Sequence, residues 1–232
     1  KKKTPFLLDV KDQWPNVLAA SIPRPLRFLF RIFLAHFYVM GKKSMLNATG
    51  ICAHTSGFLN WSSAFSNRNR SNNDFVAPLT SPNDIIDADS MISAQHWWST
   101  QGVLKAPILR VMFVGSFSRA FDFDAIFFAA SALRAKNIAC EFILCGDGDR
   151  YHELRAIAED HDNVRIFGWI DRPKIRALSL VSNVSIAPYK STSDFTISIP
   201  NKIIDSLMLG LPILSPLKGE VGKLIVENNV GF

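Results

Sequence analysis

Beyond residue 110, short apolar runs alternate with segments of helical period. Val111–Val114, Phe142–Leu144, Val164–Phe167, Val184–Ala187 and Ile213–Leu214 are predicted strands. Between and after them the spacing predicts helices over Asp124–Ala135, Arg150–Glu159, Pro173–Leu180, Lys202–Leu209 and Gly222–Glu227. Strands apolar on both faces and joined by crossover helices belong to a parallel sheet covered on both sides. Residues 101–232 are therefore expected to form a Rossmann-like α/β domain, incomplete at its end.

The earlier half is less regular. Phe6–Leu8 reads as a strand ending in Asp9-Val10-Lys11-Asp12, and Gly50–Ala53 as another leading into His54-Thr55-Ser56. Between them lies a basic, apolar helical stretch whose most hydrophobic part runs from residue 26 to 40. Residues 67–101 are rich in Asn, Ser and Pro with little sustained period, which marks a domain boundary. Residues 1–100 are thus expected to be part of a second α/β domain with its linker.

Composition adds limits. The 232 residues are 48% hydrophobic and 20% charged, enough to build a core and too sparsely charged for a disordered chain. Cys52, Cys140 and Cys145 show no metal or disulfide spacing and read as buried thiols of a reducing compartment. Lys1-Lys2-Lys3 is followed by Thr-Pro and a short apolar run, unlike a secretory signal. The stretch at 26–40 is interrupted by Arg27, Arg31 and His36 and falls short of the ~20 residues a bilayer span needs. A net charge of +6 raises the question of nucleic acid, but no recognition motif accompanies it, so no nucleic-acid partner is expected.

In open parallel sheets ligands bind beyond the carboxyl ends of strands. The turn after the first of these strands is Gly115-Ser116-Phe117-Ser118-Arg119, small residues with a cation, suited to a diphosphate. The next is Cys145-Gly146-Asp147-Gly148-Asp149-Arg150, whose glycines serve either ligand approach or simple steric relief. The most specific segment runs from Ile199-Pro200-Asn201-Lys202 to Gly210-Leu211-Pro212. Pro200 and Asn201 begin a helix, Gly210 fits a left-handed stop, and Ile203, Ile204, Leu207 and Met208 form the buried stripe. That leaves Lys202 and Asp205 on one face near the N-terminus. The pair suits either a surface ion pair or a site for a phosphate and a sugar diol.

Phe113-Val114-Gly115-Ser116, Ile143 through Gly148, Asn163-Val164-Arg165-Ile166-Phe167-Gly168-Trp169, and Pro200-Asn201-Lys202 through Leu214 follow the order seen in family-4 retaining glycosyltransferases of the GT-B fold. Leu8-Asp9-Val10-Lys11-Asp12-Gln13-Trp14-Pro15 resembles the Asp-x-Arg-Asp-x-Trp-Pro segment of bacterial members that build surface polysaccharides. The resemblance covers nearly the whole chain and implies a GT-B-like architecture: an N-terminal acceptor-side domain and a C-terminal Rossmann-like domain holding a nucleoside-diphosphate sugar. It implies that Asp205 binds the donor ribose, that Arg119 and Lys202 face the diphosphate, and that the backbone at Trp169 and Ile170 borders the base. Gly115, Ser116, Gly146, Gly148 and Asn201 would complete the donor site, with Lys11 and Asp12 on the sugar side. No cofactor and no metal are expected, since cations can stabilise the departing diphosphate.

Two departures qualify the resemblance. Ile197 stands where the family's first motif Glu is expected, and Asp194 is out of register. The family's domains extend beyond both ends of this sequence, which reads as an internal part of a longer enzyme. The expected function is sugar transfer to a glycan acceptor, lipid-linked, in polysaccharide synthesis; the alternative is a non-catalytic nucleotide-sugar-binding or scaffolding relative. An epimerase on the same fold is disfavoured for want of an acid/base pair. Pro23–Lys43, with Arg24, Arg27, Arg31, Lys42 and Lys43, suits either peripheral docking on an anionic membrane at its cytoplasmic face or a packed helix with snorkelling arginines.

Overall fold

The computed structural model describes residues 4–20, 22–82 and 85–232. The chain divides into two compact units, one of residues 1–79 and 192–199, the other of residues 80–191 and 200–232. The three leading lysines lie outside the described residues, as do the side chains of Arg24, Arg27 and Arg31.

In the first unit β1 (Leu7–Val10) is followed by α1 (Asn16–Ala20), a 3-10 turn at Arg24–Leu26, α2 (Arg27–Phe33) and α3 (Ala35–Asn47). The basic apolar stretch is thus broken at Leu34, where the backbone leaves helical geometry, α2 ends and α3 begins. Next come β2 (Gly50–Ala53), α4 (Ser56–Ser66) and β3 (Phe75–Val76), the three strands forming a parallel sheet in the order β1-β2-β3. Its core gathers Val10, Met45, Ile51, Ala53, Phe58 and Leu59. Thr55 caps α4 by accepting from Phe58 N. Asp74 fixes the edge strand: burial pushes its carboxyl up, but hydrogen bonds from Arg68, Ser71 and Ile51 outweigh this and hold it well below the usual carboxylate range.

The second unit begins with α5 (Ala88–Thr100), inside the stretch read as a boundary. Its apolar stripe is Met91, Ala94 and Trp98, spaced i, i+3, i+7, with Trp97 packed beside it, while Ile92 is exposed and Ser, Gln and His interrupt the pattern. That stripe suffices because Trp98 is 2% exposed and its Nε1 donates to Lys174 O at 2.7 Å. The contact division therefore falls near residue 80, earlier than the expected 100/101.

Then follow β4 (Leu109–Val114), α6 (Phe123–Ala135), β5 (Cys140–Cys145), α7 (Tyr151–Ala158), β6 (Val164–Phe167), α8 (Arg172–Leu180) and β7 (Val184–Ile186). The chain visits the first unit through α9 (Ser193–Ile197), then returns as α10 (Asn201–Met208), β8 (Ile213–Leu214) and α11 (Glu220–Asn228). The five strands are parallel, in the order β6-β5-β4-β7-β8. β4 starts two residues before the expected Val111 because Arg110, 2% exposed, is buried with partners: its guanidinium donates to Glu141, Leu104 O and Val181 O.

Alternate residues of β4 serve different cores. Met112 packs with Ile143, Cys145, Ala94, Trp98 and Leu178 against α5 and α8, whereas Phe113 joins a cluster of rings with Phe117, Phe121 and Phe123.

Candidate active site

The strand order reverses direction between β4 and β7, the point where a doubly wound sheet opens a crevice at its carboxyl edge. A cleft of about 1170 Å³ lies there, entirely within the second unit. Val114, Gly115 and Ser116 line it from the end of β4, Ser185 and Tyr189 from β7 and its following turn, and Asn201, Lys202 and Asp205 from α10.

Pro200, extended at φ −64° and ψ 151°, starts α10, and Gly210 ends it at φ +76°. The helix buries Ile203 and Ser206, while Met208 is half-exposed and lines the cleft, so the buried stripe is rotated from the expected one. Ser206 Oγ is 2.7 Å from both Ser185 Oγ and Lys202 O, pinning the helix to β7. This holds Lys202 over the end of β4. Its ammonium donates to Val114 O and sits 4.0 Å from the Phe113 ring centroid and 5.4 Å from that of Phe121. Burial of the ammonium lowers its pKa to about 8, with Asp205 pulling the other way. The cation is held in advance, short of hydration, facing a turn that has no side chain: a Cβ on Gly115 (φ +155°) would overlap Lys202 Nζ.

Asp205, one turn along, is exposed, and its Oδ1 accepts from Ser81 Oγ at 2.7 Å. Arg172 holds the same linker by donating to Pro82 O at 2.9 Å. Tyr189 closes the cleft, its phenol pushed up to about 12 by burial and by Asp205. The far end is apolar, with Met91, Met112, Ile175, Leu180 and Met208.

Of the residues singled out in the sequence, the structure brings together Gly115, Ser116, Asn201, Lys202 and Asp205. Gly146 and Gly148 are not in the cleft lining; they let backbones approach, Gly146 N donating to Phe167 O and Gly168 O and Gly148 lying against the Phe117 backbone. Arg119 is also outside the lining, an exposed side chain 3.6 Å from Asp149. Trp169 is 76% exposed and Ile170 is buried in the α5–α8 core, neither lining the cleft. In the first unit, Lys11 pairs with Asp9 at 3.1 Å, and Asp12 accepts from Trp14 N at 3.0 Å. Ser81, Arg172 and Tyr189 were not anticipated. Ser81 and Arg172 approach the cleft through loop and helix contacts that leave no periodic signal; Tyr189 follows a strand that was recognised.

A family model described as glycosyl transferases group 1 matches residues 109–232, more than half of the chain. The chain belongs to the group 1 glycosyl transferases. No curated protein sequence matches it. Among solved structures, it is similar to WaaG, a glycosyltransferase involved in lipopolysaccharide biosynthesis, with TM-score 0.67 and 15% identity over 100% of this chain and 62% of that one. It is similar to sucrose-phosphate synthase from Thermosynechococcus elongatus (TM-score 0.61, 17% identity, 85% and 48% covered) and to Anabaena HepE in complex with UDP and glucose (TM-score 0.60, 13% identity, 95% and 55% covered). These likenesses show a GT-B glycosyltransferase fold. The chain spans less than two thirds of each of those three proteins.

Asp205 Oδ1 is already engaged by Ser81 Oγ, so a ligand hydroxyl drawn to that oxygen competes with Ser81. Should a nucleoside diphosphate such as UDP occupy the cleft with a hydroxyl on Asp205, Ser81→Ala is expected to raise its affinity by about three- to tenfold in calorimetry, the net worth of one typical hydrogen bond. A fall in affinity would mean that Ser81 touches the ligand.

Proposed function

We propose that the cleft holds a nucleoside-diphosphate sugar and that the protein transfers the sugar, with retention, to a glycan acceptor in envelope polysaccharide synthesis. The carrying observation is the pre-placed Lys202 ammonium beside the side-chain-free Gly115 turn, with Asp205 one turn along the same helix. The cation meets the charge that develops on the departing diphosphate, and because it is already desolvated it needs little reorganisation to do so. Asp205 accepts from a vicinal diol, as ribose offers. HepE, of similar fold, is described in complex with UDP and glucose, a ligand pair this cleft suits. Calorimetry with UDP, GDP and ADP tests the reading: one diphosphate binds saturably, and Asp205→Asn weakens it about tenfold or more. No binding by the folded chain would overturn it.

A lipid-linked acceptor at a cytoplasmic membrane face is supported by the first unit. Phe28, Leu29, Ile32 and Phe33 on α2 are 62–79% exposed, and Met40, Lys42 and Lys43 on α3 are exposed too. No Asp or Glu occurs between Asp12 and Asp74. An apolar ridge in an acid-free stretch suits an anionic interface, and among the described residues no helix is long and apolar enough to cross a membrane. The expected result is flotation with phosphatidylglycerol vesicles, not with pure phosphatidylcholine, and loss of flotation in the Phe28→Asp/Phe33→Asp double variant.

The non-catalytic alternative draws on Ile197, which packs against the first unit's core and supplies no second carboxylate to the cleft. Diphosphate binding without release of sugar from its nucleotide, in the full-length protein supplied with acceptor lipid, would favour it.

A further inference from the structure

One end of the second unit's cleft is polar and the other is hydrocarbon. Met91 from α5, Met112 from β4, Ile175 and Leu180 from α8 and Met208 from α10 wall the apolar end. Three of the chain's five methionines therefore line one cavity. Met112 is buried, while Leu180 and Met208 are each half-exposed. Unbranched thioether side chains re-pack around whatever enters, so this wall suits a flexible apolar ligand better than a rigid one. The polar groups nearby are engaged: Arg176 donates to Leu209 O at 3.1 Å and Arg172 to Pro82 O at 2.9 Å. Backbone amides and carbonyls within α8 and α10 are satisfied inside the helices. A nucleobase edge buried at this end would find few partners for its donors and acceptors, which is costly, whereas a hydrocarbon chain has none to satisfy.

Charge sets the other half of the ligand. Among the described residues the lining holds three cations, Arg172, Arg176 and Lys202, against one carboxylate, Asp205. The cavity, about 1170 Å³, exceeds the roughly 300–1,000 Å³ of ordinary small-molecule pockets, so an anionic head and a chain can enter together. We propose that the cleft also binds a single-chain lipid phosphate or diphosphate, its head at the Lys202 ammonium and the Gly115 turn and its chain on the three methionines. Each methylene that leaves water is worth about fourfold in affinity, so even a short chain adds more than tenfold to what the head binds alone. The head takes the place given above to the departing diphosphate, so lipid phosphate and nucleoside diphosphate exclude one another. An uncharged lipid leaves the cation unmatched, and a two-chained phospholipid brings a second chain that one apolar end does not hold. The inference needs only Lys202 and the apolar end, and it stands whether or not the protein transfers sugar.

Protein carrying ¹³C-methyl methionine is titrated with farnesyl diphosphate, with inorganic diphosphate as the chainless control and farnesol as the headless one. The Met91, Met112 and Met208 methyl signals, assigned by their loss in Met91→Leu, Met112→Leu and Met208→Leu, are expected to shift saturably with farnesyl diphosphate and not with inorganic diphosphate. Met40 and Met45, both in the first unit, are expected to stay in place. In calorimetry farnesyl diphosphate is expected to bind at least tenfold tighter than either control. Met208 is half-exposed, so Met208→Gln keeps the fold; it is expected to cut that advantage at least threefold and to leave inorganic diphosphate unchanged. Unmoved cleft methyls, a shift of Met40 in their place, or farnesol binding as tightly as the diphosphate would overturn the proposal. UDP titrated alone reads the donor cleft separately. Farnesyl diphosphate binding without UDP binding counts against the sugar-nucleotide reading only, and UDP binding without farnesyl diphosphate binding counts against this inference only.

Discussion

Lys202→Met is expected to weaken binding of the diphosphate at least about 30-fold while making the unliganded protein more stable. The two signs have one cause. Losing a desolvated cation that pairs with a ligand charge costs about 2–5 kcal/mol of binding, which sets the lower bound on the affinity loss. The same desolvation burdens the free protein. A pKa of about 8 against an ordinary 10.5 is a net penalty of roughly 3 kcal/mol on the charged form at neutral pH, and the Met variant gives back part of it by leaving Val114 O without this donor. Replacing the charge with an unbranched apolar chain removes that penalty, for a net gain on the order of 1 kcal/mol or about 2–4 °C in Tm. A Tm that fell with the affinity would make Lys202 a structural residue. The pH dependence follows. Between pH 8 and 10.5 the unfolded chain holds a proton that the folded one has released, so this group makes stability rise with pH across that window. Affinity for the diphosphate runs the opposite way, flat below pH 8 and falling about tenfold per unit above it, as calorimetry across pH 7–9.5 would show.

Gly146→Ala is expected to be the most damaging small substitution in the second unit. At φ +152°, a Cβ there would lie inside the Gly115 carbonyl, backbone that cannot swing aside as a side chain would. Gly115 N donates to Cys145 O at 2.9 Å, and Gly146 N to Phe167 O and Gly168 O, so the strand ends β4, β5 and β6 are zipped together through these residues. Prying them apart costs about 3 kcal/mol or more, a fall of roughly 6–12 °C in Tm. Gly210→Ala is the control: its φ of +76° is equally left-handed, but open space surrounds it, so about 1 kcal/mol is expected. Equal losses at the two glycines would show that conformation, not crowding, sets the cost at Gly146.

The sheet of the second unit was legible in the sequence because its strands are buried on both faces and its helices carry clear apolar stripes. β6 and β8 fall on their expected residues, and α10 differs by one residue at each end. α5 was not legible, because a few apolar residues over two turns, two of them Trp97 and Trp98, do the work of a longer stripe. The cleft lining was legible where a local signal fixes position, as with Lys202 and Asp205, whose spacing from a helix start puts both on the face that lines the cleft. It was not legible in the glycine turn at residues 146–148, where the same residue type serves ligand approach or backbone approach and only the neighbours decide. Nor could the sequence distinguish Arg119 from Lys202. Both are cations near a turn, and only the fold seals one against Val114 O and leaves the other beside Asp149 in solvent.

The excursion of residues 192–199 into the first unit makes the second unit discontinuous along the chain. A single cleavage between them cannot free both units whole: cutting near residue 80 leaves the first without Asp194, Thr192 and the Ile197 contact, and cutting after residue 199 strips α10 and β8 from the second. During synthesis from the N-terminus, the first unit must wait for more than a hundred residues to emerge before its last segment arrives, and the helix carrying Lys202 follows immediately. Completion of the first unit's sheet edge and arrival of the helix that carries Lys202 are thereby adjacent events in the life of the chain, and a ribosome stalled between them would release neither unit in finished form.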